Sequence, residues 1–195
     1  MKGDEIMKSW VKTLIVIAVI LIIIAIPTIS SYNNLVTLEQ AVDISESNID
    51  TQLQRRSDLI PNLVNTVKGY ASQEKDIFTD IANARSKLAG ATNVNDQANA
   101  DNELSNALSR LLVVVENYPD LKSNQNFIDL SVQLEGTENR IAIARQDYNT
   151  AVTEYNTKRK SFPTNIVASI FNFKEKPLYK ANQDAQNVPE VDFSS

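Results

Sequence analysis

The nineteen positions from Val11 to Ile29 are apolar except for Lys12, Thr13, Pro27 and Thr28. At about 1.5 Å per residue such a helix reaches the roughly 30 Å of a hydrocarbon core, with the Lys12 ammonium snorkelling outward. The pattern predicts an uncleaved transmembrane helix over 11–30, behind a short polar N-terminus of residues 1–10. A cleavable signal peptide is the alternative, but Ala25-Ile26-Pro27-Thr28 is a poor cleavage site. Lys2, Lys8 and Lys12 precede the span, and no Lys or Arg follows it until Arg55. The positive-inside rule then places the N-terminus in the cytoplasm and the bulk of the chain outside, with a cytoplasmic domain as the alternative.

Beyond Ser31 the spacing turns amphipathic. Leu35, Leu38, Val42, Ile49 and Leu53 mark a first helix over about 32–56, with Ser45 and Gln52 interrupting its face. Leu59, Leu63, Tyr70, Ile77, Phe78, Ile81 and Leu88 mark a second over 59–89, ended near Gly90. Asn95 or Asp96 caps a third over 95–117, with Leu104, Ala107, Leu108, Leu111, Leu112 and Val115 on its core face. Tyr118-Pro119-Asp120 turns the chain into a fourth helix over 122–160. There Phe127, Leu134, Ile141, Tyr148 and Tyr155 recur every seven residues, and Leu130, Thr137, Ala144 and Ala151 fill the alternate places. That seam suits packing inside one bundle; an intermolecular coiled coil would produce it too. The expected fold is all-α: a transmembrane helix, then an antiparallel up-and-down four-helix bundle over 31–162. An amphipathic segment and an extended tail follow over 163–195.

The break between the first two helices falls at Arg55-Arg56-Ser57-Asp58-Leu59-Ile60-Pro61. Cations suit a helix C-terminus, Asp58 suits an N-cap, and Pro61 would then sit in the first turn, where its missing N–H breaks no bond. The rival is one long helix kinked at Pro61, at about 3 kcal/mol for an interior proline. If 32–56 were the whole first helix it would rise about 36 Å against 55–60 Å for the fourth. The bundle would then have to lean towards the membrane or overhang.

Composition removes chemistry. The 195 residues contain no Cys and no His, which excludes disulfides, thiol nucleophiles, imidazole acid–base work and the usual zinc ligands. Four glycines, at 3, 69, 90 and 136, leave no phosphate-cradling loop, and no G-x-S-x-G elbow occurs. After the first thirty residues the chain holds 16 basic and 22 acidic groups, a net −6 that disfavours nucleic acid as a partner.

Several stretches resemble the LemA family of bacterial membrane proteins. They are Tyr32-Asn33-Asn34-Leu35-Val36, Asn48-Ile49-Asp50 with the run from Gln52 to Tyr70, and Glu116-Asn117-Tyr118-Pro119-Asp120-Leu121-Lys122. Leu134 to Ile141, Tyr155-Asn156-Thr157 and Phe162-Pro163 complete the set. The resemblance implies a membrane anchor followed by a helical bundle, and it carries over no catalytic residue. Genes of the family often neighbour those of membrane proteases or other membrane proteins, which implies an accessory role beside such a partner.

Three groups of residues are candidates for function. Arg55, Arg56, Asp58, Pro61 and Asn62 should meet Glu116, Tyr118 and Asp120 at the distal end, as a docking surface or as two interlocked turns. Glu135, Glu138, Arg140 and Arg145 should form a buried polar network on the fourth helix; an all-carboxylate cation site is the remoter reading. Lys158, Arg159 and Lys160 with Phe162, Phe171 and Phe173 should either touch the bilayer surface or fold back to plug the bundle. No cofactor, metal or catalytic residue is expected. The partners anticipated are the lipid bilayer and a membrane protein, and the function a non-enzymatic scaffold or accessory; the alternative is a sensor or ligand-binding domain using an interhelical groove.

Overall fold

The computed structural model describes residues 2–180, with side chains from Trp10 onward. It is all-helical, and the described residues include no strand. The helices are α1 (Lys2–Lys68), α2 (Lys75–Gly90), α3 (Val94–Val115), the single turn α4 (Pro119–Lys122), α5 (Gln125–Lys160) and α6 (Thr164–Ile170). The described residues divide into two compact units, one formed by 2–42 with 151–176, the other by 43–150 with 177–180.

The largest correction concerns α1. No corner forms at Arg56–Asp58, and the helix continues through Pro61 to Lys68. Its buried positions explain why: Leu35, Val42, Ile49, Arg56 and Leu63 recur every seven residues, and Leu53, Ile60 and Val67 fill the second row. A proline inside a helix withholds its N–H from the carbonyl four residues earlier, here that of Ser57. Arg85 of α2 supplies the missing donor: its Nε donates to Ser57 O at 3.1 Å and to Ser57 Oγ at 3.0 Å. The corner comes instead at 69–74, where the Tyr70 and Ala71 N–H groups close the helix on Val67 O. From Ser31 onward α1 therefore rises about 57 Å, and α5 about 54 Å, so the length mismatch that called for a leaning bundle disappears.

At its other end α1 passes without a break through Pro27, Ser30 and Ser31, with the Thr28 hydroxyl donating to Ile24 O. Among the described residues this is the one helix long and apolar enough to cross a membrane, and its most apolar window is wholly unburied. Residues 10–27 are all exposed, as expected of a candidate span whose cover would be lipid.

The remaining boundaries have local causes. Asn93, not Asn95 or Asp96, caps α3, its side chain accepting the Asp96 N–H at 2.9 Å. Asn124 Oδ1 accepts from Phe127 N and starts α5. The α5 seam is buried at Phe127, Thr137, Ile141, Ala144, Tyr148 and Tyr155 within the chain itself. Lys87–Glu103 at 2.5 Å and Arg110–Asp80 at 2.6 Å tie α2 to α3.

After α6 the chain reverses. Asn172 takes φ 58°, and Phe173 N donates to Ala168 O across it, a left-handed helix stop in which Asn replaces the usual Gly. What the sequence reads as a free polar tail from Lys174 is, to Lys180, an irregular strap held by α5 side chains. In the first unit Tyr155 donates to Lys174 O, and Asn156 exchanges two hydrogen bonds with the Lys176 main chain. In the second, Tyr148 donates to Pro177 O, and Asn149 exchanges two with the Tyr179 main chain. The repeat is seven residues on α5 and three on the strap. Seven helical residues rise about 10.5 Å and three extended ones about 10 Å, so one grip every heptad keeps register.

Candidate functional site: a buried charge network beside an apolar cavity

The heptad row of α1 delivers Arg56 to the interior of the second unit, where it is only 4% exposed. A guanidinium there must be matched by acceptors. Asp101, fully buried on the core stripe of α3, accepts from Arg56 Nη1 at 2.8 Å, and Ser105 Oγ, one turn on, accepts from Nη2 at 2.9 Å. Glu138 of α5 approaches Nη1 to 2.9 Å as an ion pair outside hydrogen-bond geometry. Arg145, two turns further along α5, donates to the other oxygen of Asp101 and lies 5.1 Å from the Tyr179 ring centroid. Two cations and two anions close into a neutral set that links α1, α3, α5 and the strap.

Burial lowers the basicity of both arginines; Glu138 and then Tyr179 oppose it at Arg56, and Tyr179 opposes it at Arg145. Burial likewise pushes the Tyr179 phenol up, with Arg145 pulling it back. At Tyr148 burial raises the phenol to about 12, and Glu46 and Asp43 add to the effect.

Next to this set lies a cavity of about 450 Å³, walled by Leu63, Leu108, Leu112 and Leu134. Arg56, Ser105, Ser109, Ser131, Glu135 and Glu138 are its polar lining. The buried Ser131 Oγ and Glu138 Oε2 make no hydrogen bond to protein.

The residues singled out from sequence scatter across these features. Glu138 and Arg145 belong to the network, Glu135 lines the cavity, and Arg140 is exposed. Arg56 leaves its expected neighbours for the network, while Arg55, Asp58 and Asn62 stay on the surface and Pro61 is half-buried. Asp58 accepts from Gln54, and Glu116 pairs with Lys122. Asp120 is exposed. Tyr118 reaches Glu74, and Asn124 reaches Tyr70, so the 116–124 turn faces the corner at 69–74 and not the Arg55–Asn62 stretch. The reason is distance: Arg56 lies twelve residues, about 18 Å, short of the end of α1. Asp101, Ser105 and Tyr179 were not anticipated. Asp101 carried a signal, an acid in line with Leu104, Leu108, Leu111 and Val115; Tyr179 carried none. Among the described residues no three acidic side chains are grouped to hold a metal ion.

The family model of the LemA family matches residues 45–193, most of the chain. The chain belongs to the LemA family. Among curated relatives, magnetosome protein MamQ 2 of Paramagnetospirillum magneticum is 30% identical over 89% of this chain and 74% of its own length. Magnetosome protein MamQ of Magnetospirillum gryphiswaldense is 27% identical, covering 86% and 71%. Protein LemA of Metamycoplasma hominis is 24% identical, covering 77% and 69%. The match to the LemA family takes in α2 to α6, the network, the cavity and the strap, and most of α1 beyond its apolar run.

Proposed function

We propose that this LemA-family chain is a non-enzymatic, membrane-anchored scaffold, an accessory that presents a stiff helical body to a membrane protein. The observation that carries the reading is that α1 runs from the apolar span into the packed body with no linker. A flexible tether would let the body wander; a continuous helix fixes its stance at the membrane. Four long helices running up and down form that body, a topology supported at α2 and α3 by opposite residue orders in the pairs 80–110 and 87–103. The bulk of the chain lies outside the cytoplasm, as the lysines before the span favour. The partner-facing surface comprises the exposed Arg55, Asp58 and Asn62 of α1.

The test is affinity capture of the full-length protein from solubilised membranes, against a variant with Arg55, Asp58 and Asn62 all changed to Ala. A membrane protein recovered with the native chain and lost with the variant supports the scaffold. Equal recovery with both chains removes that surface from the reading, and a bare native protein sinks it. Cysteines placed singly in the body of this cysteine-free chain fix its side: modification in intact cells by a membrane-impermeant maleimide supports the outward body, and protection refutes it.

A second reading, a ligand-binding domain, is favoured by the 450 Å³ cavity with its Ser131 hydroxyl that makes no hydrogen bond to protein. Leucine walls interspersed with polar groups suit a small amphiphile. Native mass spectrometry after membrane extraction would detect a bound species, and Leu108→Trp should then expel it.

A further inference from the structure

We propose that α6 is a second membrane contact, lying along the bilayer surface beside the point where α1 enters it. The rings of the first unit set its position. Tyr32 stands three residues past Ile29, the last apolar residue of the span, a rise of about 4.5 Å. Its ring meets that of Phe171 at 4.8 Å and that of Phe173 at 5.6 Å, both edge-on. The C-terminal end of α6 is thereby held at the height where the hydrocarbon ends and the headgroups begin, the depth aromatic side chains favour.

The faces of α6 fit that position. Thr164, Val167 and Ala168 are buried against the unit. Ile166 and Ile170, at four-residue spacing, form a bare apolar edge, 51% and 69% exposed, and Phe162, 81% exposed, stands just before the helix. Asn165 and Ser169 flank it and line a recess of about 540 Å³ with Arg159, Lys160 and Lys174. An apolar edge between a packed face and a polar, cationic one is the cross-section of an interfacial helix. Charge agrees: residues 158–176 carry five basic groups and one acidic group in a chain of net −5. Arg159 and Lys160 are steered towards the strap, donating to Phe173 O and to Glu175, so the apolar edge supplies the insertion and the cations supply attraction to anionic headgroups.

Because the chain has no native cysteine, single labels report the position directly. Full-length F162C, I166C, I170C and N165C variants, each carrying an environment-sensitive fluorophore, are reconstituted into phosphatidylcholine–phosphatidylglycerol vesicles. All four sites are exposed, so labelling leaves the fold intact, and circular dichroism of each variant checks this. Lipids brominated near the headgroup end of the acyl chain should quench labels at 162, 166 and 170 at least about twofold more than the label at 165, as expected of an edge buried 5–10 Å deep. Aqueous iodide should show the reverse order, and bromine near the chain terminus should quench little. Equal iodide quenching at all four sites would place α6 in water and overturn the proposal. Protection from both quenchers at 166 and 170 would also overturn it, by assigning the edge to a protein cover.

Discussion

The two units use charge in opposite ways. In the second, Arg56 and Asp101 are buried, and the half-exposed Glu138 and Arg145 close the set from the rim, so that each cation has its anion. In the first, Lys160–Glu175 lies on the surface and Lys176–Glu39 is half-buried at its edge, no charged side chain is fully buried among the described residues, and the other contacts are aromatic and main-chain. Desolvation makes a buried set costly to assemble and far more costly to break at one member, whereas an exposed pair is nearly balanced against hydration. The second unit is therefore fixed in register by charge, and the first by shape.

The sharpest way to break this contrast is Asp101→Ala, which removes the one buried anion shared by the buried Arg56 and the half-buried Arg145. Chemical unfolding of the micelle-bound protein, followed by circular dichroism, should show a loss of about 3–5 kcal/mol. A loss below about 1 kcal/mol would mean that the network is solvated and the contrast false.

Arg85→Ala should cost about 1–3 kcal/mol, because Ser57 O then has no donor. Most of that cost should vanish in the Pro61→Ala background, where residue 61 regains its N–H. The coupling in a double-mutant cycle is the measurement. Additive effects would show that Arg85 acts only through Ser57 Oγ or general packing.

In the first unit Asn172→Ala should cost about 1 kcal/mol, for a left-handed position now held by a β-carbon without local hydrogen bonding, while Asn172→Gly should be neutral or better. The smallest effect belongs to Glu39→Gln, within about 1 kcal/mol and fading with salt. A larger, salt-independent loss would erase the difference between the units.

Titration offers a further check. Tyr148 has a folded pKa of about 12 against an ordinary value of 10.0, so its neutral form is favoured by folding. Its contribution is fully present below pH 10, falls as the unfolded chain loses the proton first, and is gone once pH passes 12. A Tyr148→Phe variant should show a flatter decline in stability over that window.

Much of this was legible in the residues, and the failures have physical reasons. The α5 seam is apolar at every seventh residue and reads directly. The same seven-residue row in α1 was masked because its fourth member is Arg56, and a search for apolar side chains treats a cation as an interruption. Pro61 strengthened the error: a proline signals a break unless something else satisfies the carbonyl it orphans, and that something, Arg85, lies in the next helix. The pair Arg55-Arg56 reads as a helix end, yet neighbours on a helix point about 100° apart, and one is buried while the other is exposed. Asn149 and Asn156 could not be read at all, since what they hold is peptide backbone, which has no signature in sequence.

That last point bears on how the strap can change over time. Asn149 and Asn156 recognise the N–H and C=O of Tyr179 and Lys176, groups that nearly every amino acid provides. The side chains of Glu175 and Leu178 are exposed, so drift there leaves the grip untouched. Only loss of a donor is forbidden, which bars proline from 176 and 179, while Pro177 is tolerated because its carbonyl alone is used. Selection on this segment falls on the asparagines of α5, on the spacing and on the buried Tyr179, leaving exposed positions such as 175 and 178 free to vary.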